Sequence, residues 1–136
     1  MIQNNLKFTC VLLLILLPLS ALCGCEDGDC ENGYGTYVFR DGDTDPSSWI
    51  VGDSYTGSFL NGKMHGQGIY MSAAGNTYCG GFLIGAKSGY GEVSDVKGNS
   101  YKGFFKNDLR HGKGIYTDKS GWCFNKFYYL GNIVRK

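Results

Sequence analysis

The sequence predicts an all-β protein, a single-layer, elongated antiparallel sheet built from about four tandem β-hairpins. Three observations predict this fold. Glycine occupies 22 of the 136 residues, with 10 tyrosines, 8 phenylalanines and only 2 prolines. Glycine and aromatic positions recur every 23 residues, and within each unit they alternate with a period of two. Glycine inside a helix costs ~1 kcal/mol relative to alanine, whereas glycine with aromatic residues is typical of short strands joined by tight turns.

The first element is an amino-terminal segment, residues 1–24, that has the features of a secretory signal peptide. Lys7 precedes a dense apolar run over residues 8–19, and small residues follow it. The run is shorter than the ~20 apolar residues that a membrane-spanning helix needs. We therefore expect an exported chain. A single uncleaved N-terminal membrane anchor remains an alternative.

The leader ends in Leu22-Cys23-Gly24-Cys25, which resembles the bacterial lipobox. In that motif a leucine stands three residues before the acylated cysteine and a small residue stands one before it. The resemblance implies lipidation (palmitate) of Cys25, with residues 25–32 as an acidic tether to the membrane of a bacterial cell envelope. Each buried methylene contributes ~0.8 kcal/mol to such an anchor. The alternative is ordinary cleavage and secretion, with Cys25 free to pair with another cysteine.

A 23-residue repeat organises residues 33–130, and its unit is G-x-G-x-Y-x4-G-x2-Y-x-G-x-F. The predicted copies are residues 33–60, 66–82, 89–105 and 112–128, followed by a tail over residues 131–136. The first copy is degenerate and carries about ten extra residues, which predict a long hairpin tip. The positions that define the repeat are Gly57, Gly66, Gly68, Tyr70, Gly75, Tyr78, Gly80, Phe82, Gly89, Gly91, Gly98, Tyr101, Gly103, Phe105, Gly112, Gly114 and Tyr116.

Each half of the repeat alternates with the period of a β-strand, which places Tyr78, Gly80 and Phe82 on one face. A glycine-containing segment such as residues 72–76 then turns the chain. The glycines leave room for an aromatic ring from a neighbouring strand to lie across the bare backbone. We therefore expect a ladder of tyrosine and phenylalanine rings along one face of about eight strands.

Residues 55–70, YTGSFLNGKMHGQGIY, resemble the MORN repeat (membrane occupation and recognition nexus), whose pattern is YxGxFxxGxxxGxGxxxxxxG. The resemblance extends over roughly residues 33–130 and implies an elongated sheet of hairpins that serves as a scaffold or binding module. Together with the lipobox, it resembles bacterial MORN-repeat lipoproteins. It implies a non-catalytic, lipid-anchored scaffold that binds an unknown protein. Self-association is left open, since some members associate with themselves, and no nucleic-acid partner is expected.

Two histidines are the first candidates for chemistry, and their spacing argues against it. His65 and His111 occupy the same repeat position two copies apart. Two copies are four strands, and strands lie ~4.8 Å apart, so about 19 Å separates the two histidines. They cannot share one metal ion or one substrate. No Ser/His/Asp or Cys/His constellation accompanies them, and we expect no enzyme activity, no catalytic residue and no cofactor.

An acidic run is the second candidate. Asp41, Asp43 and Asp45 form a D-x-D-x-D pattern, but Pro46 follows it and Gly52 stands where a calcium loop of the EF-hand type needs glutamate. We therefore predict no metal site and interpret the run as a polar hairpin tip. A weak cation contact of another kind stays open.

Charge is divided unevenly along the chain. Residues 26–53 hold eight acids and one base, a net charge of −7, whereas residues 54–136 hold eleven bases and four acids, a net charge of +7. The favoured interpretation is a solvated sheet face. Lys102 and Lys113 lie between the inward positions of their strands, so they are candidates for contact with a partner.

Two questions remain open at the level of sequence. A cell-wall or glycan-binding module that uses the aromatic ladder is the alternative function, because Gly121-Trp122 and residues 127–129 faintly resemble choline-binding wall repeats. The disulfide status of Cys30, Cys79 and Cys123 is also open. Cys79 and Cys123 occupy different repeat positions, which argues against a bridge between them.

Overall fold

The protein is represented by a computed structural model that describes residues 24–41, 43 and 50–134. Over these residues the chain forms one ten-stranded antiparallel sheet and no helix, with the strands in chain order. This confirms the predicted all-β, single-layer fold. The strands are β1 Cys25–Gly28, β2 Tyr34–Val38, β3 Ser54–Leu60, β4 Lys63–Met71, β5 Thr77–Leu83, β6 Ala86–Ser94, β7 Ser100–Lys106, β8 Leu109–Thr117, β9 Cys123–Tyr129 and β10 Asn132–Ile133.

The sheet is two strands longer than the sequence predicts. Strand β1 lies in the segment interpreted as a tether, and Asn132 and Ile133 of the predicted tail pair with Tyr129 and Tyr128. Both additions are short edge strands without the glycine-aromatic pattern of the repeat, so the periodicity could not reveal them. Almost all of the predicted signal peptide, residues 1–23, and most of the predicted hairpin tip lie outside the described residues.

Two kinds of turn alternate along the sheet. The predicted kind closes residues 72–76, where the amide of Ser72 donates to the carbonyl of Asn76 at 2.8 Å. The other kind is a two-residue turn in which both residues have positive φ, the type I′ geometry that suits the twist of a hairpin. These tight turns are Asn61-Gly62, Ile84-Gly85, Asn107-Asp108 and Leu130-Gly131.

A continuous row of glycines crosses the sheet on the face that carries the tyrosine ladder. Each glycine in the row is the register partner of the next, and Lys126 takes the following place on β9. A Cβ atom added at Gly91 would lie 2.5 Å from the hydroxyl of Tyr78, so the tyrosine ring occupies the space that a side chain would need. This confirms that the rings cover bare backbone. The row is Gly35, Gly57, Gly68, Gly80, Gly91, Gly103 and Gly114.

The same rings form the core of the protein. Tyr55, Tyr78 and Tyr101 are fully buried. Each contacts an aromatic ring of the next copy edge to face: Tyr55 meets Phe82 with 4.9 Å between ring centroids, and Tyr78 meets Phe105 at 5.0 Å. Edge-to-face pairs contribute ~0.5–1.5 kcal/mol beyond the area that they bury. The sheet therefore makes a core on one of its own faces without a second layer.

Candidate functional site

The two faces of the sheet differ in the aromatic surface that they expose to a ligand. We call the face with the tyrosine row the inner face and the opposite one the outer face. On the inner face the rings of the ladder are mostly buried against one another, and among the residues that the structure describes the more exposed rings lie at the carboxyl end, where Phe124 is 44% exposed. The described aromatic ladder is therefore mainly core, and its carboxyl end is the part that a glycan could reach.

Two cations lie on the inner face among the rings. Lys87 and Arg110 occupy the repeat position that Met64 fills in the preceding copy. The ammonium of Lys87 lies 5.3 Å from the ring centres of Tyr70 and of Tyr78. The guanidinium of Arg110 lies 4.6 Å from the ring centre of Tyr101. These are cation–π distances. Burial lowers the pKa of Lys87, and Asp108 and Asp53 oppose that shift.

A buried carboxylate, Asp53, lies at the start of β3. It accepts hydrogen bonds from the hydroxyl of Tyr70 and from the backbone amides of Ile50 at 2.9 Å and Ala73 at 2.8 Å. Burial alone would raise the pKa of Asp53, but these hydrogen bonds and the charge of Lys87 outweigh it and lower the pKa. Neither Asp53 nor the two cations of the inner face were predicted from the sequence as site residues.

The outer face carries a groove of about 690 Å³ that crosses β6 to β9. One wall is formed by Tyr90 and Phe104, whose rings meet edge to face with centroids 5.3 Å apart, and each is 52% exposed. Lys102 and Lys113, the two lysines predicted as partner contacts, both line the groove. Its lining is Tyr90, Lys102, Phe104, Lys113, Gly114, Ile115, Asn125, Lys126, Phe127 and Val134.

The charge of this outer-face groove is positive. Lys102 has a carboxylate neighbour, since its ammonium lies 3.5 Å from Glu92 Oε2. Lys113 lies in register opposite Phe127, so a cation and an exposed ring stand side by side on adjacent strands. No acidic residue lines the groove among the residues that the structure describes. The groove therefore combines apolar walls with basic groups.

The apolar wall of the outer-face groove is not a requirement of the repeat. Phe104 and Phe127 stand at the position that Ser58 and Gly81 fill in the earlier copies, and Tyr90 stands where the preceding copy has Gln67. All of these residues lie in strands of the same sheet. Since the earlier copies fold with small or polar residues there, the repeat does not require an aromatic residue at these positions. Comparing equivalent positions across copies would have found them from the sequence.

A second, smaller groove of about 380 Å³ lies on the inner face at the carboxyl end. It is lined by Arg110, Tyr116, Phe124, Lys126, Tyr128 and Ile133. The ammonium of Lys126 lies 5.6 Å from the ring centre of Phe124. This is the part of the aromatic ladder that stays open to a ligand.

The sulfur of Cys25 is paired in the structure. Cys25 and Cys30 form a disulfide with their Cα atoms 6.0 Å apart, as in the alternative in which Cys25 pairs with another cysteine. A thioether to a lipid would use the same sulfur atom, so the two states exclude each other. Lipidation of Cys25 stays a prediction. Cys79 and Cys123 are both free and exposed, in line with the expectation that they do not bridge.

The other candidates for chemistry remain apart. His65 lies on β4 and His111 on β8, four strands away, as predicted. His65 Nδ1 accepts a hydrogen bond of 3.5 Å from the amide of Ile84. Asp43 accepts one of 2.7 Å from the amide of Arg40. Within residues 24–41, 43 and 50–134, no cluster of three or more His, Cys, Asp or Glu residues could hold a metal ion.

Asp45 of the acidic run lies outside the described residues, so the question of a cation at the tip stays open. The same described ranges contain no helix that is long and apolar enough to cross a membrane.

Comparison with known proteins identifies the family. The model of the MORN repeat matches residues 31–44, 55–77, 78–100 and 101–123. Three of these matches begin at Tyr55, Tyr78 and Tyr101, the fully buried tyrosines that lie across the glycine row. No curated protein matches the chain. The four matches cover more than half of the sequence, and the chain belongs to the MORN-repeat family.

Proposed function

We propose that this chain is a non-catalytic scaffold of a bacterial cell envelope that binds a protein partner through its outer-face groove. MORN repeats occur in repeat proteins with binding roles, and such proteins are generally non-catalytic. The observation that carries the proposal is the pair of half-exposed rings, Tyr90 and Phe104, at positions where the fold accepts glutamine and serine or glycine. Exposed aromatic residues that the fold does not need are typical of interaction sites.

The composition of the outer-face groove favours a protein as its occupant. Binding sites for proteins concentrate aromatic anchors in a pocket and surround them with polar groups. Here Tyr90, Phe104 and Phe127 supply the anchors, and Lys102 and Lys113 stand beside them. Burying these rings yields roughly 25 cal/mol for each Å² of apolar surface removed from water.

A wall glycan is the second candidate, and the smaller groove of the inner face supports it. Tyr116 and Phe124 lie there with ring centroids 6.4 Å apart and planes tilted by 36°. Two rings side by side offer apolar faces on which sugar rings can stack. This surface is smaller than the outer-face groove and is built from repeat positions, so its aromatic residues also serve the fold.

Export and membrane anchoring belong to the same proposal. Both uses of Cys25, the lipid anchor and the disulfide with Cys30, require a chain that leaves the cytoplasm, because disulfides persist in oxidising compartments. We propose the lipid on Cys25 as the anchor. In a lipidated chain Cys30 would be a free thiol, which makes the two states separable by mass.

The anchoring experiment compares the wild type with Cys25→Ala and Cys30→Ala in the native host, following partition into detergent and intact mass. A lipid anchor predicts that Cys25→Ala loses both the acyl mass and the partition, whereas Cys30→Ala keeps both. A wild-type chain that begins before Cys25 and has two hydrogens fewer than the reduced chain would show the disulfide instead, and would contradict the anchor.

The partner experiment uses the chain in its own envelope. Cross-linking followed by recovery is carried out for the wild type, for the groove variants Tyr90→Gln and Lys113→Glu, and for the matched control Lys106→Glu, which lies on β7 outside the groove. We expect a defined protein whose recovery falls with both groove variants and not with the control. Recovery of wall glycan alone would favour the second candidate. Specific turnover by the purified chain would contradict the scaffold.

A further inference from the structure

The hairpin tip between β2 and β3 carries the chemistry that complements the outer-face groove. Its sequence over residues 40–51 is RDGDTDPSSWIV, three aspartates followed by an apolar group. Ile50 is 67% exposed and Val51 is 58% exposed, so apolar side chains stand open to water beside the acidic run. Such a segment matches a groove that offers exposed rings and lysines without a carboxylate in its lining.

From these features we propose that the tip of one copy of this chain docks into the outer-face groove of a second copy, which gives a head-to-tail assembly. The groove is the one described above, but the inference does not require the protein partner proposed there. Ile50 and Val51 would lie against Tyr90 and Phe104, and Asp41 and Asp43 would face Lys102 and Lys113.

Chain length excludes the same contact within one copy. The base of the tip is fixed, because the amide of Gly52 donates to Phe39 O at 2.9 Å and the amide of Asp43 donates to Arg40 O at 3.2 Å. Six residues, 44–49, separate the described parts of the tip, and a six-residue segment that leaves and returns can reach no more than about 10 Å from its ends. The middle of the groove lies five strand spacings from β2 and β3, about 24 Å.

Net charge supports the same pairing. Residues 26–53, which contain the tip, carry −7, and residues 54–136, which contain the groove, carry +7. Opposite potentials steer two surfaces together and suppress pairing of like ends. Association should therefore weaken as salt rises.

The proposed contact joins different surfaces on the two copies, so it is heterologous. Each copy offers one tip and one groove, and a heterologous contact continues into a chain of copies unless its rotation closes a ring. A two-fold dimer, by contrast, would bury the same surface on both copies. This difference gives the test.

The experiment measures sedimentation of the chain as the cell processes it, with detergent present for every sample. The groove variant combines Phe104→Ser with Lys113→Glu, and Phe104→Ser introduces the residue of an earlier copy. The tip variant combines Asp41→Lys with Ile50→Ser. The control variant is Lys106→Glu. Circular dichroism and thermal unfolding establish that each variant keeps its sheet.

We expect the wild type and the control to form assemblies larger than a dimer as the protein concentration rises. High salt should reverse this association. The groove variant and the tip variant should each be monomeric alone, with association constants lowered at least about tenfold. Mixed, they should form a one-to-one dimer that grows no further, because only one intact tip and one intact groove remain.

Three results would overturn the inference: a wild type that stays monomeric at every concentration, a mixture of the two variants that stays monomeric, or variants that associate as the wild type does. An equal loss of association in Lys106→Glu would show a general charge effect and would also contradict docking into the groove. Capture of a separate partner is distinguished by identity: it requires a cross-linked protein other than this chain, whose recovery falls with Tyr90→Gln and Lys113→Glu.

Discussion

The hydroxyl of Tyr78 donates a hydrogen bond of 2.9 Å to the carbonyl of Gly81, and this bond holds the ring across Gly91. Tyr101 occupies the same position one copy later, but its buried hydroxyl has no hydrogen-bond partner in the described part of the chain. We expect Tyr78→Phe to lower the free energy of unfolding by about 1 kcal/mol, whereas Tyr101→Phe should be neutral or stabilising.

Urea unfolding of the two variants measures this difference. An unchanged slope of the unfolding free energy against urea concentration indicates that the surface exposed on unfolding is unaffected. Tyr78→Ala serves as the reference for losing the whole ring, which costs about 3–5 kcal/mol. Equal losses in Tyr78→Phe and Tyr101→Phe would contradict the role assigned to the hydroxyl bond.

The close approach of the Tyr78 ring to Gly91 gives a second prediction. A Cβ at Gly91 would meet Tyr78 Cε2 at 2.6 Å, and the buried ring has little room to move, so Gly91→Ala should destabilise by about 1–3 kcal/mol. The cost should largely disappear in a Tyr78→Ala background, because the clash is then gone. A double-mutant cycle measures the coupling, and additive effects would contradict the contact.

The buried carboxylate of Asp53 gives a prediction for acid. Its pKa is lowered in the folded state, so its contribution to stability is present above the ordinary pKa of 3.8 and is lost as pH falls through the folded value. Asp53→Asn introduces the residue that Asn76 and Asn99 supply at this position in later copies. We expect this variant to lose about 1.5–3 kcal/mol at neutral pH.

Unfolding of Asp53→Asn and of the wild type is compared from neutral pH down to below pH 3.8. The difference between the two should shrink as the carboxylate of the wild type becomes protonated. A difference that stays constant with pH would mean that the charge of Asp53 does not stabilise the fold. Asp95→Asn gives a comparison with a turn carboxylate outside the buried cluster, whose pKa is also lowered, by hydrogen bonds from the side chain and the backbone amide of Asn99.

Alkaline pH should unfold the sheet. Burial raises the pKa of Tyr55 to about 12 and that of Tyr78 to about 12, from an ordinary value of 10.0. The stability that these neutral hydroxyls contribute is complete below pH 10 and is lost as pH rises through the folded pKa. Tyrosinate absorbance and circular dichroism followed together should show these residues ionising only as the strand signal disappears. Ionisation of every tyrosine near pH 10, with the sheet intact, would be the contrary result.

Much of the fold follows from the sequence because one physical requirement repeats along it. A ring such as that of Tyr78 needs a glycine on the neighbouring strand to lie across. That requirement determines which residues form strands, which face they occupy and how adjacent strands pair. The two-residue turns were harder to predict from the sequence. Asn61-Gly62 has the composition of a type I′ turn, but Ile84-Gly85 and Leu130-Gly131 do not. At those positions the flanking strands impose positive φ on a residue that does not prefer it.

The candidate site was only half predictable, because it lies on positions that the repeat leaves variable. Lys102 and Lys113 were found from strand alternation alone, which requires no knowledge of neighbours. Tyr90 and Phe104 acquire meaning only when they stand in register on β6 and β7, side by side. Asp53 was hidden for the same reason, since two of its three hydrogen-bond donors, Tyr70 and Ala73, lie 17 and 20 residues away along the chain.

Pairing of each strand only with its neighbours in the chain has a consequence for the dimensions of the molecule. Duplicating residues 78–100 would add two strands and would break no existing pair. The first and last strands would then stand about 10 Å farther apart. The number of copies therefore sets the length of the sheet. A natural or engineered change in that number would alter the distance between the basic end and the amino terminus, and the structure of each hairpin would stay the same.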